Sequence, residues 1–147
     1  MFKRIASLAA LACVMSFMTG CAVNRSTASL SPGADLTTVK TAYVVKQPND
    51  DRGINDLIAA NLEKRGYVVV KGPELKTPYK GDVAVTYIDK WMWDITMYML
   101  ELTINVRDPQ SGFPMAVGNS YHTSLTRKSP TEMVDEVLDN IFKAPKK

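Results

Sequence analysis

Residues 82–108 read DVAVTYIDKWMWDITMYMLELTINVRD, the longest uninterrupted strand-like segment of the chain. Apolar residues alternate with polar ones through both halves, the period of a half-buried strand. Both tryptophans of the protein, Trp91 and Trp93, fall at its centre, followed directly by Asp94. The segment therefore predicts two long antiparallel strands joined near Asp94, and this hairpin anchors the reading of everything else.

Parity assigns the faces. Val83, Val85, Tyr87, Asp89, Trp91 and Trp93 share one face of the first strand, while Tyr98, Leu100, Leu102, Ile104 and Val106 share one face of the second. Apolar must meet apolar, which predicts an even-numbered loop. A four-residue loop over Asp94–Met97 pairs Trp93 with Tyr98, Trp91 with Leu100 and Asp89 with Leu102. A two-residue turn at Asp94-Ile95 lacks the Gly or Asn that such turns favour. Trp91, Trp93 and Tyr98 then gather at the turn end, with Asp89 beside them on a mostly apolar face. These four are the candidate binding patch, since clustered aromatic anchors mark recognition surfaces. The competing reading is that the tryptophans close the core and Asp89 is a hydrogen-bonded structural carboxylate.

Working outward, Thr41-Ala-Tyr-Val-Val45 predicts a strand within residues 39–47, ended by Pro48. Asn49-Asp50-Asp51 offers N-cap oxygens for a helix carrying Ile54, Leu57, Ile58 and Leu62 on one stripe, with Gly66 placed to stop it. Tyr67 to Val70 reads as a second strand, residues 71–81 as a Lys-, Pro- and Gly-rich loop, and residues 115–123 as a last strand after a turn at Asp108-Pro109. Ser129-Pro130-Thr131-Glu132 is a capping box with proline at the first helical position. It opens a helix with Met133, Val134, Val137, Leu138, Ile141 and Phe142 on one face. The prediction is an α+β two-layer sandwich in the order β-α-β-β-β-β-α. Two helices cover one face of a mainly antiparallel sheet of about five strands.

The N-terminus has a different character. Lys3-Arg4 precedes an apolar run from Ile5 to Met18 that is short for a membrane span, and small residues lead to Gly20-Cys21. This layout matches a lipoprotein signal peptide over residues 1–20 with Cys21 as the acylated first residue of the mature chain. Cys13 leaves with the signal, so no cysteine remains to pair with Cys21. Residues 21–38 are Ser/Thr-rich and include Pro32-Gly33, which predicts a flexible tether with a reach of roughly 20–25 Å. Residues 39–147 form the single domain. Ala22, in place of Asp, implies sorting to the outer membrane, facing the periplasm.

The remaining chemistry is sparse. Composition is that of a globular domain, 46% apolar and 22% charged, and a net charge of +3 without a basic stripe gives nucleic-acid binding no support. His122, the single histidine, lacks a serine or cysteine motif and is expected to be a partly exposed structural residue. No His/Cys spacing suggests a metal, and no cofactor motif is present. Asp89 and Asp94 lie on opposite strand faces, a poor arrangement for the paired carboxylates of a glycosidase. The lysines of the 71–80 loop are expected to be solvated, with anionic lipid or lipopolysaccharide phosphate as their alternative contact.

Gly20-Cys21, Asp51-Arg52-Gly53-Ile54, the run from Tyr87 to Asp94 and Arg127-Lys128-Ser129-Pro130 resemble small proteobacterial outer-membrane lipoproteins. That resemblance implies the anchor and the compartment and carries no reaction with it. At the level of element order, the chain is similar to the lipopolysaccharide-assembly lipoprotein that plugs an outer-membrane translocon. The expectation is a non-enzymatic envelope lipoprotein, held by its acyl chains, that binds or scaffolds another envelope component. The alternatives are a glycan or lipid-headgroup binding module and, least supported, a carboxylate-dependent hydrolase.

Overall fold

The computed structural model describes residues 23–76 and 78–144. The expected signal peptide and Cys21, the expected lipidation residue, lie outside the described residues. Eight elements follow one another: β1 (Asn24–Leu30), β2 (Thr41–Val45), α1 (Ile54–Lys64), β3 (Val68–Gly72), β4 (Val83–Trp93), β5 (Met97–Arg107), β6 (Pro114–His122) and α2 (Pro130–Lys143). A short 3-10 turn, Ser124–Thr126, joins β6 to α2.

The six strands form one sheet in the order β1-β6-β5-β4-β2-β3. The β4–β5–β6 meander and the β1–β6 pair are antiparallel, whereas β2 runs parallel to both β3 and β4, with α1 as the β2–β3 crossover. The two helices cover one face, and one core cluster joins Ile54, Ile58 and Leu62 of α1 with Met133, Val137, Leu138 and Ile141 of α2 and with Val85, Leu102 and Ile104 of the sheet. The α+β two-layer architecture is therefore as the sequence predicts, with one strand more.

The added strand is β1, in the stretch expected to be a flexible tether. It pairs along its whole length with β6, from Asn24 opposite His122 to Leu30 opposite Ala116. Backbone hydrogen bonds hold it, and only Leu30 is buried. An edge strand of this kind carries little of the apolar alternation that marks a strand in sequence. The chain between β1 and β2 is also anchored, because Leu36 is 7% exposed within the core.

Local signals explain both helices. Ser129 Oγ accepts from the Glu132 N–H (3.3 Å) and Glu132 Oε2 accepts from the Ser129 N–H (2.8 Å), the expected capping box. In α1 the capping oxygens come from further upstream. The Asp50 carboxylate accepts from the N–H groups of Ile54 (3.0 Å) and Asn55 (2.9 Å). At the other end, Gly66 takes a positive φ of 93°. Gly66 N–H donates to Glu63 O (2.9 Å) and Tyr67 N–H to Leu62 O (3.1 Å), a Schellman closure that a residue with a Cβ would strain.

The hairpin departs from the even-loop expectation. Asp89 does pair with Leu102, but Trp91 pairs with Met99, Met92 with Tyr98 and Trp93 with Met97, leaving a three-residue loop of Asp94, Ile95 and Thr96. A bulge between Lys90 and Trp91 absorbs the odd residue, with Leu100 as the extra one on β5. The parity argument assumed an unbroken ladder, and a bulge reverses parity locally.

Candidate functional site

The bulge divides the expected patch. Trp91 sits on the helix-covered face with Met99, which is 1% exposed, and packs half-buried against the core cluster. Its indole Nε1–H donates to Asp89 Oδ2 at 2.6 Å, and the Arg52 guanidinium lies 4.0 Å from its ring centroid. The carboxylate that looked unpaired on an apolar face is thus held by the neighbouring tryptophan. Tyr98 is 8% exposed but opposes Met92 on the other sheet face, outside the core cluster, so it does not join Trp91 in a common surface.

Trp93 behaves differently. It is 67% exposed at the end of β4, and Ile95, at the loop apex, is 87% exposed. Met97, paired with Trp93, and Met92, on the opposite sheet face, are close to half exposed, so the tip presents apolar side chains to solvent. In a monomeric surface such a patch points to a contact surface.

Arg127, 31 residues from the loop in the chain, makes this tip firm. Its Nη1 donates to Thr96 Oγ1 (2.7 Å), and its Nη2 lies 3.1 Å from both oxygens of Asp94. It also donates from Nε to Ser124 O (2.9 Å) and from Nη2 to Ser124 Oγ (2.8 Å), while its Cζ stands 4.7 Å from the Tyr98 ring centroid. The Ser124 hydroxyl, the Ile95 and Thr96 N–H groups and the Arg127 charge together hold Asp94 down at about 2. The hairpin loop and the 3-10 turn after β6 are consequently one tied unit, and Leu125 of that turn is 78% exposed.

Two polar groupings lie elsewhere. His122, expected to be partly exposed, is 3% exposed because its side chain lies on the face covered by α2. Its Nε2 is 2.8 Å from Glu136 Oε2, and Ser120 Oγ donates to the same oxygen at 2.6 Å. The carboxylate stands between serine and histidine, so His122 is not bonded to Ser120 as a base activating a nucleophile would be. Tyr87, 3% exposed, donates its hydroxyl to Asp50 Oδ2 (2.6 Å), linking β4 to the α1 cap. Burial and the Asp50 charge push its phenol well above the usual range. Buried tyrosines and N-cap aspartates are legible as types; their meeting across 37 residues is not.

A cavity of about 650 Å3 opens at the C-terminal ends of β2 and β3, lined by Lys46, Gln47, Asn55, Asp56, Lys71 and Glu74 among others. Lys71 Nζ and Asp56 Oδ1 are paired across 2.6 Å there. Among the described residues, no cluster of three or more His, Cys, Asp or Glu side chains is gathered as a metal site, and no helix is long and apolar enough to cross a membrane.

No known protein family matches the chain, and no curated protein sequence does. Solved structures do. The PelC dodecamer from Paraburkholderia phytofirmans superposes with a TM-score of 0.60 at 16% identity, covering 84% of this chain and 100% of that one. A methionine variant of the same dodecamer gives 0.58 at 15% identity with the same coverage. At these identities the likeness shows a shared fold.

Proposed function

We propose that this protein is a non-enzymatic, lipid-anchored envelope protein whose hairpin tip docks onto another component of the cell envelope. The observation that carries the reading is the tip itself. Trp93 and Ile95 are exposed at a hairpin end that Arg127 ties through Asp94 and Thr96 to the turn after β6, and a rigid apolar projection loses little conformational freedom on contact. The Gly20-Cys21 signal supports the anchor, with acyl chains on Cys21 and an outer-membrane address facing the periplasm. The Ser120–Glu136–His122 arrangement supports a structural role for these residues, since Ser120 donates to the carboxylate and not to the histidine.

The PelC neighbours are dodecamers, and their likeness supports a self-assembled scaffold. Two free sheet edges, β1 and β3, are available for it, and β3 exposes Val68 at 65%. Sedimentation of the acylated protein in detergent should show a closed multimer; a single monomeric species would remove this part of the proposal.

The test of the docking role places a photoactivatable amino acid at position 95 in growing cells. Irradiation should give adducts to an envelope component, and the same probe at Ser111, on the distant turn, should give fewer. Equal, background-level adducts from both positions would refute docking through the tip.

A further inference from the structure

The end of the sheet that carries the tip is also the end at which the chain leads to Cys21. β1 begins there, with Asn24 opposite His122, the last residue of β6. Val23 is not free to swing away. Its carbonyl accepts from Thr123 N–H (3.2 Å), Thr123 Oγ1 (3.1 Å) and Thr126 Oγ1 (3.4 Å). Only Ala22 separates that fixed point from Cys21.

The ladder sets the geometry. Arg25, Tyr121, Glu101 and Lys90 form one row across β1, β6, β5 and β4. Beyond that row the hairpin continues four residues to Met97 on one strand and four to Asp94 on the other, about 13 Å at the strand rise. Cys21 is two residues before the fixed Val23 in the chain, a contour limit of about 7 Å from that point. The sideways separation between β1 and β5 is two strand spacings, about 10 Å. The described chain thus meets the sheet at the tip end, and Cys21 lies within two residues of that point in the sequence. The 3-10 turn at that end adds Leu125, tied to the tip through Arg127.

From this we infer that the hairpin tip is a second membrane contact: Trp93, Ile95, Met97 and Leu125 seat in the lipid surface that receives the acyl chains of Cys21. The inference rests on the lipid-anchor reading and names the envelope component that the tip meets. Its chemistry fits a bilayer interface. Tryptophan prefers the headgroup boundary, and exposed aliphatic side chains bury just below it. A single lipid anchor leaves a domain free to rotate, and a firm apolar projection close to the anchor fixes which end faces the membrane.

The experiment uses the full chain, processed in cells, with Trp91→Phe so that Trp93 is the sole tryptophan, and circular dichroism to verify the fold. Mass spectrometry of the purified protein first reports acylation of Cys21. The protein is then reconstituted into vesicles of phosphatidylethanolamine and phosphatidylglycerol with brominated acyl chains. Trp93 emission should shift to the blue and be quenched by the bromines, and an added Ile95→Asp substitution should abolish both effects. Emission as red as that of the unacylated Cys21→Ser chain, quenched only by aqueous acrylamide, would overturn the inference. Protection in native envelopes without protection in these vesicles would also overturn it, since a protein would then cover the tip while the docking role stood. Absence of acyl groups would overturn the anchor reading alone. The vesicle arm would then use Cys21 coupled to a maleimide lipid, with the same two outcomes for Trp93.

Discussion

Glu136 receives hydrogen bonds from Ser120, His122 and Lys128 at 2.6 to 2.8 Å. Burial opposes its charge, yet these three donors hold the carboxyl down at about 2, from an ordinary value of 4.5. Above pH 4.5 it is ionised in the folded and unfolded chain alike, and its contribution to stability is complete. Between 4.5 and about 2 the unfolded chain takes up the proton first, so that stability is lost as pH falls. Glu136→Gln should lower the unfolding free energy near pH 7 by roughly 2 kcal/mol, because buried partners lose a charged acceptor. Urea titrations across this pH range should show a shallower acid dependence in the variant. His122 Nδ1, buried without a partner, makes the neighbourhood intolerant of further loss.

At the scale of elements, α2 approaches β6 closely at one place. Gly118 pairs with Ile104 on one side and Ala28 on the other, under Val137 and Ile141. A Cβ added there would lie 2.7 Å from Val137 Cγ1 and 2.8 Å from Ile141 Cγ1. Gly118→Ala should therefore destabilise by about 1–3 kcal/mol through overpacking, measured as a lower denaturation midpoint with an unchanged urea slope. The sequence shows Val137 and Ile141 on the core face of a helix by their spacing alone. It does not show that a glycine lies beneath them, because layer contacts join residues far apart in the chain. The same limit governs the site. Asp89 and Trp91 were legible as neighbours on one strand face, and the Asp89–Leu102 pair followed from alternation. The separation of Tyr98 was not legible, because no residue of Lys90-Trp91 or Leu100 announces a bulge. Arg127 was hidden for the same reason as Gly118: 31 residues separate it from Thr96.

The whole molecule closes with an edge strand that composition alone makes look like linker. β1 covers one side of β6 and contributes Leu30 and the half-buried Ala28 to the core. Removing residues 22–30 should cost about 2 kcal/mol from Leu30 burial alone, with the lost ladder adding to it. It should also leave the β6 edge open, so that thermal unfolding becomes concentration-dependent as edges associate. An unchanged melting temperature at all concentrations would show that β1 is dispensable to the fold. The amphipathic helices and the hairpin sufficed to read the architecture, since each buries a periodic face; a polar edge strand has no such face to read.

The extra residue at Leu100 has one more consequence. On the helix-proximal side of it, the pairs from Asp89–Leu102 onward are fixed by the core. On the far side, the bulge sets which side chains of β5 face the helices, and it puts Met99 rather than Leu100 beside Trp91 against the core. Leu100 therefore acts as a half-turn key between the core ladder and the face that the tip presents. Loss of a single residue there would turn over the face of β5 at the tip and take Met99 out of the core, while the pairs from Asp89–Leu102 onward kept their register.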